Sequence, residues 1–330
     1  MARAPAVAGQ FYNGTREGLI REIEGCFTGR LGPGRLPAPS IRPTDRAYSG
    51  LTGDEGLADP SIRPAERAYS GSAVDGELTG HERARQVMGL VCPHAGYVYS
   101  GAAAAWAYDA LAADGVPDTA VILGPNHYGL GPPAALSPED EWATPLGTLR
   151  ADAEIAEAIL RLSKYCEPDE LAHAREHSIE VQLPFIQYLA GDAVQIVPIS
   201  ISHLSKDDAL ALVDDLGNAI AEAVRGKNAV IVASSDFTHY ESKAAATAKD
   251  SLAIERIVNL DARGLIEVVY SRNITMCGVI GTAVMIDACA RLGATSARKL
   301  TYYTSGDVTG DIDQVVGYAA ISVGAESSSA

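Results

Sequence analysis

The sequence has no apolar run approaching the roughly 20 residues that a membrane span requires. Its opening, Met1-Ala2-Arg3-Ala4-Pro5, lacks the hydrophobic core of a secretory signal. Basic charge is short as well: 26 Lys and Arg face 42 Asp and Glu, a formal net charge of −16. Phosphate backbones and anionic membrane surfaces both need a basic face, so nucleic-acid and membrane-surface binding are not expected. Cysteine is sparse, with five residues scattered at 26, 92, 166, 277 and 289. An odd, dispersed set is not a disulfide framework, and a reducing cytoplasm is the expected location.

Several catalytic signatures are missing too. No Gly-x-Gly-x-x-Gly fingerprint or Walker sequence cradles a phosphate, and no Gly-x-Ser-x-Gly elbow presents a nucleophile. Ser305-Gly306-Asp307-Val308-Thr309-Gly310-Asp311 shares only composition with a calcium loop, lacks the downstream glutamate, and reads as a turn after a strand.

What is present is a chain of 330 residues, 47% hydrophobic, long enough for a large buried core. Strands are predicted over Val87–Cys92, Ala120–Gly124, Val194–Ile201, Ala229–Ser234, Lys299–Thr304 and Val315–Val323. Helices are predicted over Glu17–Phe27, Ala102–Ala112, Ala153–Ser163, Ile179–Leu189, Lys206–Val224, Ala244–Asn259 and Ile280–Leu292. Several strands are unbroken Val/Ile/Leu runs, as expected where helices cover both faces of a sheet. The alternation predicts a single α/β domain of α/β/α layers. Ser40–Gly50 recurs as Ser61–Gly71 inside a Pro/Gly/Ser-rich insertion at about 34–85, expected to be a flexible surface loop or a small docking segment.

Ligands of open α/β sheets bind beyond the carboxyl ends of the strands. Three predicted strands place a histidine there: His94 in Pro93-His94-Ala95-Gly96-Tyr97, His127 in Gly124-Pro125-Asn126-His127, and His239 in Ser234-Ser235-Asp236-Phe237-Thr238-His239-Tyr240. Any one of them is ordinarily a loop hydrogen-bonder; three at one sheet edge point to a metal site. Cys277, ahead of a predicted helix whose first amides favour a thiolate, is the next candidate. Cys92 reads as core. His173 and His177 are four residues apart but lack the His-Glu-x-x-His pattern. A helix is expected to begin at Ser178, with His177 and Glu180 in its first turn, either orienting a ligand imidazole or capping the helix. Tyr97 and Tyr240 are candidates for lining the pocket.

Pro5–Tyr12, the three histidine segments, Thr144-Pro145-Leu146-Gly147, Glu176-His177-Ser178-Ile179-Glu180-Val181-Gln182-Leu183-Pro184, Tyr303–Asp307 and Val316–Ala320 follow one another in an order that closely resembles the Memo family. The resemblance includes its prokaryotic branch, AmmeMemoRadiSam system protein B. It implies a fold similar to class III extradiol dioxygenases, which use non-haem iron(II). It also implies a metal pocket of His94, His127 and Cys277, with Asp236 and His239 as an acid–histidine pair acting in catalysis. Those dioxygenases complete the iron site with a carboxylate. Cys277 is softer, which brings Cu(I) and Zn into competition with Fe(II). Two functions from different classes follow. One is a non-haem iron redox enzyme acting on a small molecule; the other is a non-enzymatic metal- or peptide-binding protein. The branch name implies a radical SAM protein and an AMMECR-like protein as partners.

Overall fold

The computed structural model describes residues 2–37 and 85–325, which belong to one compact unit. The duplicated segment lies outside the described residues. In chain order the elements begin with β1 (Ala2–Arg3), α1 (Arg16–Thr28), β2 (Val87–Cys92), α2 (Tyr97–Asp114) and β3 (Thr119–Pro125). A run of short pieces follows: β4 (Ala134–Leu136), β5 (Glu141–Thr144), β6 (Gly147–Arg150), α3 (Ala153–Leu162), β7 (Cys166–Pro168), α4 (Leu171–Ala174), a 3-10 turn over Glu180–Gln182, and α5 (Leu183–Ala190). The remainder is β8 (Gln195–Ile201), α6 (Lys206–Val224), β9 (Ala229–Ser234), β10 (His239–Glu241), α7 (Lys243–Val258), α8 (Ala262–Ser271), α9 (Val279–Arg291), β11 (Ser296–Thr304), α10 (Gly306–Thr309) and β12 (Val315–Gly324).

The helix starts are chemically marked. The side chains of Thr15, Asp152, Ser205, Ser242 and Asp261 accept from backbone amides in the first turns of α1, α3, α6, α7 and α8. Each satisfies a donor that the helix geometry leaves without an intrahelical partner. Pro184 sits in the first turn of α5, where its missing N–H costs nothing. The helix predicted over 179–189 therefore divides there into the 3-10 turn and α5.

The main sheet runs β10-β12-β2-β9-β3-β8-β4-β7, with β11 pairing β12. Its centre, β2-β9-β3-β8, is parallel, and β12 and β4 flank it antiparallel. A separate small sheet joins β1, β5 and β6. Along the central strands alternate residues enter opposite cores. Val91, Val121, Leu123, Ile231 and Ala233 pack with Leu212, Leu216, Ala283 and Val284 of α6 and α9. Leu90, Cys92, Ile122, Val230 and Val232 pack with Leu19, Ile23, Ala104, Tyr108 and Phe185 of α1, α2 and α5. A strand buried on both faces needs apolar side chains at every position, which is why these segments are continuous runs rather than alternations.

This is the α/β/α architecture expected. The register sets the site: Val91 lies beside Ala233, and Ala233 beside Leu123. The carboxyl ends of β2, β9 and β3 are level, and the loops leaving them share one edge. The short strands β4 to β7 escaped prediction because three or four residues carry too little periodicity. No helix among the described residues is long and apolar enough to cross a membrane.

Candidate metal centre

His94, two residues beyond β2, is buried; its backbone N–H donates to Asp236 Oδ1 at 2.8 Å and its ring Nδ1 lies 2.9 Å from Ser234 Oγ. His127, two residues beyond β3, has Nδ1 2.9 Å from Glu176 Oε1, and its N–H donates to Oε2 of the same carboxylate at 2.7 Å. A carboxylate only accepts, so Nδ1 carries a proton, and in the neutral ring Nε2 is the bare lone pair. Cys277 enters from the opposite side, on the loop before α9, with Sγ 3.3 Å from His94 Nε2. Gly278 allows that approach: a Cβ there would overlap the Ser234 carbonyl oxygen.

Donor atoms of His94, His127 and Cys277 all lie within 4.8 Å of one another. Bonds of about 2.0 Å to nitrogen and 2.3 Å to sulfur place the ligands of a tetrahedral ion roughly 3.3–3.7 Å apart. The Cys277–His94 separation already lies in that range, and the donor set could hold one ion once the wider separations close by about an ångström. A second, overlapping group joins His127, Glu176 and His177.

Electrostatics divide the three imidazoles: His94 and His177 are held neutral, and His127 is drawn toward its charged form. Burial, reinforced by His177 and His127, holds His94 well below the ordinary imidazole pKa. Burial likewise brings His177 down to about 4. For His127, burial opposes protonation, but the hydrogen bond and charge of Glu176 prevail and raise its pKa. Glu176 in turn ionises against burial, held well below the usual carboxylate range by His127 and the Ser178 amide. Cys277 differs from expectation. Burial, with Asp236 adding, pushes its thiol far up in the metal-free protein, outweighing the helix amides. A metal would have to displace that proton.

Other assignments change. Glu180 is fully buried but orients no imidazole. It accepts from Arg3 Nη1 and Ala6 N at 2.7 Å, Val7 N at 3.0 Å and Tyr12 Oη at 2.7 Å. The carboxylate beside the histidines is Glu176, four residues earlier, and its place directly before His177 was the available signal. His173 and His177 share no helix face. His173 is buried in α4 with Nε2 on the Ala135 carbonyl, while the ring of His177 lies 5.5 Å from His94 and 4.8 Å from His127. Phe11 from the N-terminal segment packs on His177 at 4.5 Å.

The acid–histidine pair is also arranged differently. His239 Nδ1 donates to the Thr275 carbonyl at 2.8 Å, leaving Nε2 as an acceptor, and Asp236 supports the His94 loop instead. Burial raises the Asp236 pKa against the charge of His239. Tyr97 belongs to the core, its hydroxyl on the Val181 carbonyl, whereas Tyr240 is 74% exposed. His203 lines a cavity of about 170 Å³ with Asn126, His127, Ser202 and Cys277.

Residues 72–322 match the family described as Memo-like protein. The chain is 42% identical to the MEMO1 family protein MK0963 of Methanopyrus kandleri, over 97% of this chain and 98% of that one. The chain belongs to the Memo family. It is likewise 42% identical to the MEMO1 family protein MTH_45 of Methanothermobacter thermautotrophicus, over 98% of this chain and all of that one. With a MEMO1 family protein of Thermotoga petrophila it shares 40% identity over 96% of its length and 98% of the relative's. A crystal structure of the uncharacterized protein JW3007 from Escherichia coli K12 superimposes with a TM-score of 0.51 at 13% identity, covering 72% of this chain and all of that one. That likeness concerns the fold alone. In this Memo protein the matched span includes His94, His127, Glu176, His177 and Cys277.

Proposed function

We propose that this Memo-family protein is a metal-dependent redox enzyme of dioxygenase type that acts on a small molecule. His94 Nε2, His127 Nε2 and Cys277 Sγ would hold one ion, Fe(II) first, with Cu and Zn competing for the softer sulfur. The observation that carries this reading is the convergence of two imidazoles and a thiol within 4.8 Å at one sheet edge. When bound, the ion supplies a redox-active centre whose remaining coordination positions are open to oxygen and substrate. The cavity lined by His127, Ser202, His203 and Cys277 gives a small molecule access to that edge.

His239 serves as acid/base, its Nδ1–H held on the Thr275 carbonyl. His177, its pKa brought down to about 4, stands with its ring 4.8 Å from that of His127 and 5.5 Å from that of His94, so it competes for the same role. Phe11 shields its ring from water.

A second reading is a non-enzymatic metal- or peptide-binding protein that works with a radical SAM protein and an AMMECR-like protein. Exposed Val98, Tyr99, Tyr128, Leu130 and Tyr240 on the loops and helix start around the donors favour it, because such side chains suit a docked partner.

Elemental analysis of anaerobically purified protein, beside a His94→Ala/His127→Ala variant, tests the site. Near-stoichiometric metal lost in the variant is expected. Absence of metal from both, even after loading with iron, copper or zinc, would overturn the reading. Turnover of oxidisable small molecules under oxygen then separates enzyme from binding protein.

A further inference from the structure

A chain of buried hydrogen bonds behind His94 has every proton direction fixed. Tyr108 Oη donates to Gln182 Oε1 at 3.1 Å. Gln182 Nε2 donates to the Pro93 carbonyl at 2.9 Å and to Ser234 Oγ at 2.8 Å. The amide cannot be turned over, since its oxygen would then face the Pro93 carbonyl. Ser234 has a single proton, and a carbonyl can only accept, so the 2.6 Å contact between Ser234 Oγ and the Ser178 carbonyl consumes it. Ser234 Oγ therefore has only lone pairs left for His94, whose Nδ1 stands 2.9 Å away.

We infer that Ser234, held by Gln182 and the Ser178 carbonyl, is a positioning residue that locks His94 in its Nδ1–H tautomer and turns the Nε2 lone pair toward Cys277. This inference rests on the metal-site reading above and adds the group that prepares the buried ligand. It parallels Glu176 at His127, with one difference of chemistry. Glu176 brings a charge, which suits a ring near solvent. Ser234 brings a neutral acceptor, so the ring of the enclosed His94 is oriented without a carboxylate on its Nδ1, Asp236 holding only the backbone N–H. Ser234, Gln182, Tyr108 and the Ser178 carbonyl leave no proton in the chain undirected, which gives the ring one tautomer rather than two.

The tautomer is readable without metal, from the ring ¹⁵N shifts of His94 in metal-free protein. The expected spectrum shows a protonated Nδ1 and a bare Nε2; the opposite pattern overturns the inference. In Ser234→Ala the two tautomers are expected to mix, and Zn(II) affinity, measured by competition with a chromophoric chelator, to fall about 10–100-fold. Gln182→Met removes the donor behind Ser234, together with the amide's contacts to Tyr108 and the Pro93 carbonyl, and is expected to cost a few-fold while the Ser178 carbonyl keeps the tautomer intact. Unchanged Zn(II) affinity in Ser234→Ala overturns the inference, as does lost affinity with an unchanged tautomer. If the wild type binds no metal at all, the metal-site reading falls, and the ¹⁵N spectrum still decides the tautomer.

Discussion

Arg3 and Glu180 are the pair whose removal tests the division of labour between the two buried glutamates. The Arg3 guanidinium meets Glu180 at 2.7 Å, donates to the carbonyls of His173 and Glu176 at 2.9 and 2.6 Å, and lies 4.1 Å from the centre of the Trp142 ring. Glu180 keeps three further donors in Ala6, Val7 and Tyr12. Breaking one partner of a buried ion pair costs about 3–5 kcal/mol, because the survivor is left charged and uncompensated. Arg3→Met removes the guanidinium from Trp142 and strands a carboxylate that still has three donors, so about 4 kcal/mol is expected. Glu180→Gln strands the guanidinium and should cost a similar amount, about 3–5 kcal/mol. The double variant leaves no charge unpaired, so its loss should be near that of one single variant, a coupling of about 3–5 kcal/mol. Urea unfolding midpoints at constant slope measure all three. Metal affinity of the folded Glu180→Gln protein should stay within about threefold of wild type, since Glu180 touches no ligand. Additive single effects would refute the pairing. A metal loss in Glu180→Gln as large as that of Glu176→Gln would refute the assignment of roles.

Other outcomes follow from the same contacts. Glu176→Gln removes the charge that fixes the proton on His127 Nδ1, and metal affinity by chelator competition should fall about 10–100-fold. His173 is buried with its pKa lowered to about 4, against about 6.5 when unfolded. The unfolded chain takes up that proton first, so stability falls as pH drops from about 6.5 toward 4, by about 3 kcal/mol for this residue. Urea midpoints at about pH 7 and about pH 4.5 should show that loss, and His173→Gln should reduce it. Gly278→Ala drives a methyl group into the Ser234 carbonyl and should cost about 1–3 kcal/mol in thermal unfolding while weakening metal binding. Cys277→Asp replaces sulfur by oxygen and should shift metal preference from copper and zinc toward iron, read by elemental analysis after mixed loading.

Local pattern determined much of this protein. Unbroken Val/Ile/Leu runs marked β2, β3, β8 and β9 as strands buried on both faces, and the helix predicted over Lys206–Val224 is α6 at its observed bounds, behind a Ser205 cap. Those strand ends, read with the rule that ligands gather beyond them, were enough to select His94 and His127. The tertiary structure decided everything that depends on partners far apart in the chain. Arg3 and Glu180 are separated by 177 residues, and Ser234 and His94 by 140. In sequence Glu176 and Glu180 are two equivalent acids flanking His177. Only the packed N-terminal segment draws one onto Arg3, leaving the other beside His127. Cys277 shows the same limit in its electrostatics. A helix start favours a thiolate, but the pKa depends on how much water the fold removes, and here burial prevails. Periodicity and capping are local and short-ranged, so sequence carries them; burial and hydrogen-bond direction belong to the assembled neighbourhood, which the chain acquires only by folding.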